Sequence, residues 1–354
     1  MPVTKLDIEE FLKRSASLPV FDVRSPGEYS HAQIPGAISL PLFTDEERKR
    51  VGTLYKEQGR QRAIKEGLDF FGPKMKAIVE QVEKATGKTN AGDNRTYSKP
   101  VLVHCWRGGM RSAAIGWLLD LYGFEVYSLA GGYKAYRNRV LNTFETDHDF
   151  TLIGGYTGSG KTAILHELQK KGAAVVDLEG LAGHKGSAFG GIGLPAQPTQ
   201  EMFENLLAAS LDQHSGRHFY IEDESQRIGV LHIPHTFWKT MRLKNISFVD
   251  IPFEERLQYI VEEYGQCDPE KLKTSIERIQ KRLGPLETKT ALQQLSAHKI
   301  TDCFRILLAY YDKVYNKALH NRENTVALLN KIPCFSVDSL SNTEKLLLCS
   351  SVKH

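Results

Sequence analysis

The stretch FTLIGGYTGSGKTAILHELQKKGAAVVD, residues 150–177, restricts the fold more than any other part of the chain. Its pattern predicts a strand over 150–154, then Gly155, four residues and Gly160-Lys161-Thr162, then a helix over 163–171 with Ile164, Leu165 and Leu168 on one face. Gly172 ends that helix, and 173–177 is the next strand. A strand, a glycine-bearing loop, a helix and a second strand pack as an α/β layer with parallel strands, because the helix carries the chain back across one face of the sheet. In the loop, backbone N–H groups around Gly155, Gly158, Ser159 and Gly160 cradle phosphate oxygens at a helix N-terminus. Lys161 adds a point charge, and the Thr162 hydroxyl suits Mg2+. The motif specifies a phosphate group without specifying the compound that carries it.

Acids follow at strand ends, where open α/β sheets bind ligands. Asp177 and Glu179 lie in DLEG, and Asp223 lies in FYIEDE, which predicts a second strand over 219–224. Each is a candidate to hold metal-bound water; each also reads as a solvated strand end. Residues 183–193, GHKGSAFGGIG, hold five glycines with His184, Lys185 and Ser187, which suits a loop that approaches a ligand closely or a plain surface loop. An amphipathic helix is predicted over 199–211, and from Glu254 onward the pattern is mainly helical. There Lys271, Lys273, Arg278, Lys281 and Arg282 cluster around Glu277, either as a solvated face or as a contact for a phosphate backbone, with Lys281 and Arg282 as the candidate RNA contacts. Tyr310, Tyr311 and Tyr315 sit at helical spacing and read as core.

A second constellation precedes this one. Residues 101–112, VLVHCWRGGMRS, begin as a buried parallel strand and reach Cys105, Gly108, Gly109, Arg111 and Ser112 before an apolar helical run. A cysteine in such a loop faces inward-pointing N–H groups and the positive end of a helix, and Arg107 and Arg111 bring two more charges. Each term favours thiolate, so Cys105 is the expected nucleophile, with Arg107 and Arg111 beside it. The string HCx5RS also occurs in cysteine phosphatases, and a similar loop carries a sulfane sulfur in rhodaneses; the loop alone leaves both open.

The flanking sequence separates them. A helix is predicted over 6–12, strands over 18–23, 37–40 and 122–129, and a helix over 133–140. The series DVRSPGEY, IPGA, the Cys loop and AGGY resembles the rhodanese domain, in order, over residues 1 to about 140. Asp22 and Arg24 read as structural, since buried polar groups are paired. One long helix follows from the 44–71 pattern, with a Thr44/Glu47 capping box and an i,i+4 pair Glu46/Arg50. Its seven cations are interspersed with acids, which fits a solvated face or an RNA surface. Residues 86–100 form a polar loop, and 142–148 a linker. The expected architecture is α/β throughout: a rhodanese-like parallel-sheet domain over 1–141, then a P-loop NTPase-like α/β domain with a helical C-terminal region over 142–354.

With HCWRGGMRS, AGGYKAYR, GGYTGSGKT and DLEGLAGHKGSAFG together, the chain resembles the tRNA 2-selenouridine synthase family over nearly its full length. The resemblance implies a tRNA-modifying transferase. Its substrate would be tRNA with a 2-thiouridine wobble base, and its co-substrates geranyl diphosphate and selenophosphate. Selenium would replace sulfur through an S-geranylated intermediate, with the selenophosphate-producing enzyme as a further partner. A rhodanese-type sulfurtransferase or sulfur carrier with a nucleotide-binding module is the alternative, and a Cx5R phosphatase a more distant one. A length of 354 residues suits two domains, and a net charge of +4 permits a nucleic-acid partner without requiring one. The N-terminal MPVTKLDIEEF lacks the apolar core of a secretion signal, and no apolar run has the length of a membrane span. Five scattered cysteines without a CxxC pair suggest neither a disulfide framework nor a zinc site, and fit a reducing cytoplasm.

Overall fold

Two parallel five-stranded sheets carry the chain, one in each of two units, residues 1–142 and 143–354. The computed structural model describes residues 3–87 and 99–351.

The first unit runs β1 (Thr4–Leu6), α1 (Ile8–Ser15), β2 (Val20–Asp22), α2 (Pro26–His31), β3 (Ile38–Ser39), α3 (Asp45–Gln58), α4 (Arg60–Phe71), α5 (Met75–Thr86), β4 (Pro100–His104), α6 (Met110–Leu121), β5 (Glu125–Leu129) and α7 (Gly132–Thr143). Its strand order is β1-β5-β4-β2-β3, every pairing parallel. β4 takes the centre because Val101, Leu102 and Val103 bury side chains toward both faces, as a parallel strand covered by helices requires. Phe21, Val23, Leu40, Ile115 and Leu119 complete the core around it. This placement carries Cys105 to the carboxyl edge of the sheet.

The 44–71 region departs from the single helix expected. Gly59, at φ +84°, breaks it into α3 and α4, which fold back on each other. The Thr44/Glu47 capping box forms, with Glu47 Oε2 accepting the Thr44 N–H at 2.8 Å and Thr44 Oγ1 accepting the Glu47 N–H at 3.2 Å. Arg50 turns away from Glu46 and pairs with Glu66 at 2.6 Å, because the helical hairpin brings a better-buried carboxylate opposite it. Of the polar loop expected over 86–100, residues 88–98 lie outside the described residues. The expected linker over 142–148 begins inside a helix. α7 continues to Thr143, and His148 Nε2 and Thr146 Oγ1 lie 2.9 and 2.8 Å from the Thr143 carbonyl.

The second unit runs β6 (Phe150–Gly155), α8 (Lys161–Lys170), β7 (Ala174–Val176), α9 (Leu178–Ala182), α10 (Gln200–Gln213), β8 (Phe219–Glu222), β9 (Arg227–Ile228), β10 (Leu231–His232), α11 (His235–Met241), β11 (Ile246–Asp250), α12 (Phe253–Tyr264), α13 (Pro269–Leu283), α14 (Pro285–Ser296), α15 (Ile300–His320), α16 (Thr325–Leu328), β12 (Leu329–Pro333) and α17 (Ser339–Ser351). The sheet order is β12-β11-β6-β8-β7, all parallel, with β9 and β10 forming a separate antiparallel hairpin. The expected helical C-terminal region is present, and most of it is threaded between two strands of the sheet. α12 to α16 lie between the neighbouring strands β11 and β12 and enclose their own core of Leu272, Ile276, Phe304 and Leu307. β12 escapes notice in the sequence because it is an edge strand, LNKIP, with a single buried residue, Ile332. Among the described residues, no helix is long and apolar enough to cross a membrane.

Candidate functional site

Each unit presents one chemically distinctive loop at the carboxyl edge of its sheet. In the first, β4 ends at His104 and α6 opens at Met110. Cys105 is buried between them. Its Sγ lies 3.3 Å from Ser112 Oγ and accepts the Gly109 N–H at 3.3 Å. Burial opposes ionisation, but the Ser112 hydroxyl and the N–H groups of Ser112, Arg107 and Gly109 outweigh it and hold the thiol below its ordinary value. Cys303, by contrast, is pushed up to about 11 by burial, and Cys334 is also raised.

The two arginines act differently from the sequence expectation. Arg107 contributes its backbone N–H, while its side chain is exposed. Arg111 donates to Glu28 at 2.6 and 3.3 Å and so does not aim a free charge at the sulfur. Burial alone would raise the Glu28 carboxyl, but the Arg111 bond and charge, the Ser25 N–H and Arg48 together lower it to about 2. Arg48 of α3 stands 3.6 Å from the same carboxylate. Glu28 therefore ties the Cys loop to the α3 hairpin, a role its place in DVRSPGEY did not reveal.

Two buried structures support the loop from below. Arg24 and Asp22 form a fully buried pair at 2.6 Å, and the guanidinium also donates to the Ala32 carbonyl at 2.6 Å and stacks 3.8 Å over Tyr133. His104 is held at about 4, chiefly by burial, and stays neutral; it cannot serve as a charged partner for the thiolate. The AGGY turn fits against the Cys loop backbone to backbone. Tyr133 N–H donates to the Cys105 carbonyl at 2.8 Å and Lys134 N–H to the Trp106 carbonyl at 3.0 Å. A Cβ on Gly132, at φ +60°, would stand 2.3 Å from the Cys105 carbonyl oxygen and 2.4 Å from the Gly108 nitrogen, so no side chain fits there.

In the second unit, the loop after β6 passes through Gly158 and Gly160, and α8 opens at Lys161. Lys161 Nζ donates to the Gly155 carbonyl at 3.3 Å and lies 3.9 Å from Glu224. Thr162 Oγ1 donates to Glu179 at 2.8 Å. Among the described residues, Ser159 Oγ is buried without a hydrogen-bond partner. Glu179 is thus drawn to the loop, whereas the other two candidate acids are engaged elsewhere. Asp177 caps α9, accepting the Gly180 N–H at 2.7 Å, and lies 3.1 Å from His166. Asp223 accepts from Tyr315 at 2.7 Å and pairs with Arg322. Tyr315 in turn accepts the Gly155 N–H at 3.4 Å, so α15 reaches the root of the phosphate loop.

The acid that does reach Lys161 is Glu224, which sequence reasoning passed over among three consecutive acids. Burial first, then Glu179 and Asp223, push it up to about 8 against the pull of Lys161. Glu179 and Glu222 are also raised, mainly by burial, and one Glu222 oxygen lacks a partner among the described residues. Gly186 of the glycine-rich loop packs on both carboxylates; a Cβ there would meet Glu179 at 2.7 Å and Glu224 at 3.0 Å. Glu179 and Glu224, two crowded carboxyls sharing one lysine, are short of positive charge, and the oxygens of Thr162 and Glu179 fit Mg2+. That ion takes one or two carboxylates plus phosphate oxygens and waters more readily than an all-protein cage. Among the described residues, no group of three or more His, Cys, Asp or Glu forms such a cage. Lys281 and Arg282 are exposed in the last turn of α13, where cations also favour the helix's carbonyl end. Lys273, in the same cluster, is drawn to Glu270 at 3.6 Å. Tyr311, whose hydroxyl accepts the Ala188 N–H of the glycine-rich loop at 3.1 Å, feels the charge of Arg282.

A cradled low-pKa cysteine at one sheet edge and a phosphate loop at another define a chain of two modules, one rhodanese-like and one P-loop α/β. The rhodanese-like domain model matches residues 7–139, and the model described as the tRNA 2-selenouridine synthase AAA domain matches residues 148–333. The tRNA 2-selenouridine synthase of Hydrogenovibrio crunogenus is 35% identical over 345 residues, covering 87% of this chain and 91% of its own. That of Nitrosomonas europaea is 35% identical over 292 residues, covering 79% and 72%. That of Pseudomonas putida strain KT2440 is 33% identical over 334 residues, covering 84% and 87%. The chain belongs to the tRNA 2-selenouridine synthase family.

Proposed function

We propose that the chain is an enzyme that replaces the sulfur of a wobble 2-thiouridine in tRNA by selenium, drawing on geranyl diphosphate and selenophosphate. The observation that carries this reading is the joint presence of an ionisable, N–H-cradled Cys105 and a complete phosphate loop in a chain matching named synthases over most of their length. In the first half-reaction the thiouridine sulfur bonds to the terminal geranyl carbon and diphosphate leaves. The loop N–H groups and Lys161 hold that diphosphate and stabilise its growing charge. Thr162 and Glu179 would hold Mg2+, which would supply Lewis-acid stabilisation of the same oxygens. In the second, the selenium of selenophosphate bonds to the base carbon and geranylthiolate leaves; water then takes the phosphoryl group, so the Se–P bond breaks, inorganic phosphate is released and selenium stays on the base. The Cys105 cradle suits a soft anion there, whether selenophosphate or a developing selenolate. The pairing of Arg111 with Glu28 counts against the phosphatase reading, which needs that arginine free for phosphate.

The test is incubation with thiolated tRNA, selenophosphate and geranyl diphosphate, followed by mass analysis of the wobble nucleoside. Selenouridine is the expected product. Unchanged thiouridine, together with turnover of thiosulfate and cyanide in the absence of tRNA, would replace the proposal by a sulfurtransferase.

A further inference from the structure

A separate surface of the second unit combines uncompensated charge with exposed planar groups. Residues 225–249 contain Arg227, Lys239, Arg242 and Lys244, with His232 and His235, and no acid. They fold into the β9–β10 hairpin, α11 and the turn that leads into β11. The hairpin register sets Arg227 directly opposite His232, both exposed. Lys244 is paired with Asp147 at 3.0 Å, but among the described residues no carboxylate pairs with Arg227, Lys239 or Arg242. The acid nearest in effect to Arg242 is Asp223, and it is already held by Arg322 and Tyr315. Burial and the neighbouring Arg322 charge hold Arg242 below its ordinary value, as expected of two guanidiniums sharing one acid.

The helix adds a stacking face. His235 and Trp238 of α11 and its C-cap residue Arg242 recur at helical spacing. The His235 and Trp238 rings are stacked at 6.4 Å and 20°, and the Arg242 guanidinium lies 5.0 Å over the indole. Trp238 is half-buried, with the Arg242 guanidinium over its ring. A phosphate backbone would engage the cations with release of counterions, and an unpaired base would use the indole face. An acidic protein would use only the first of these features.

We propose that the β9–β10 hairpin and the His235–Trp238–Arg242 face of α11 form an RNA-docking surface. Arg227, Lys239 and Arg242 contact phosphates, and Trp238 stacks an unpaired base. The inference rests on tRNA being the substrate and names where on this chain the tRNA sits.

The test measures the affinity of the full chain for a thiolated tRNA across a salt series. The double variant Arg227→Glu/Lys239→Glu removes two contacts, so the slope of log affinity against log salt should flatten by roughly 1.4–1.8. Arg227→Gln/Lys239→Gln should flatten it in the same direction and serves if the charge reversal disturbs folding, which circular dichroism would detect. Trp238→Ala should weaken binding by roughly tenfold or more, while Trp238→Phe keeps a ring face and most of the affinity but loses the tryptophan quenching on tRNA addition. An unchanged slope in the double variants, with unchanged affinity in Trp238→Ala, would overturn the surface and leave it for a protein partner. Flattening only in Lys281→Glu/Arg282→Glu would place the RNA on α13 instead. Failure of the unaltered chain to bind tRNA at any salt would overturn both this surface and the tRNA reading.

Discussion

Replacing Glu28 by Gln removes one charge from the first unit and leaves an acceptor for the Ser25 N–H, so it isolates the ion pair that ties Arg111 to α3. The Glu28 carboxyl lies at about 2 against an ordinary 4.5. At ~1.4 kcal/mol per tenfold change, that difference corresponds to about 3 kcal/mol of folding stability at neutral pH. Solvent reaches this edge of the site, and a discount by half leaves about 1.5 kcal/mol. The sign follows from a depressed folded value. The stabilisation is complete above 4.5 and is lost as pH falls toward 2, more than half of it by pH 3. Glu28→Gln should therefore lower the urea midpoint by roughly 0.5–1.5 M at pH 7, and by clearly less at pH 3. Trp106 and Trp117 report this unit, and a Trp238→Phe background silences the tryptophan of the other. A midpoint unmoved at pH 7, or a deficit as large at pH 3 as at pH 7, would refute the reasoning.

Other expectations concern the chemistry. Cys105→Ser should abolish selenium incorporation with tRNA affinity intact, and at pH 7 iodoacetamide should alkylate Cys105 before Cys303 or Cys334; equal alkylation would show that the cradle does not lower the thiol. Lys161→Ala should slow geranylation by about tenfold or more, since one decade in rate is ~1.4 kcal/mol of transition-state stabilisation. Single turnover of tRNA geranylated beforehand should survive, and equal loss in both assays would sink the division of labour. For Glu224, raised to about 8, the sign is opposite to that of Glu28: the metal-free protein should lose stability as pH climbs from 4.5 through 8. Glu224→Gln should flatten that limb of the melting profile, and an unaltered limb would mean the carboxylate is already ionised.

Both reactive loops were legible in the sequence because each is a local string whose geometry is set by the strand before it and the helix after it. What escaped was set by distant parts of the chain. Glu28 meets Arg111 across 83 residues of sequence. Which acid of FYIEDE faces Lys161 depends on where β8 stops, and the strand ends at Glu222, two residues before the acid in question. The sequence placed Asp223 at the site, but Tyr315 and Arg322 claim it from α15 and the turn after it. The strand that follows the helical block and brings the chain back to the sheet, β12, has too little apolar content to announce itself. The basic α11 face went unread for a related reason: its four cations are spread over a hairpin and a helix and never form a run.

The seating of Gly132 against the carbonyl of Cys105 makes the Cys loop and the AGGY turn a single mould cast from two segments. A combinatorial library that randomises residues 106–110 alone samples shapes that must still close on an unaltered turn. Most clones should then fail for want of fit, whatever their chemistry. Transplanting the reactive cysteine into another scaffold has the same requirement: both segments must move together, with the Tyr133 and Lys134 amides that join them.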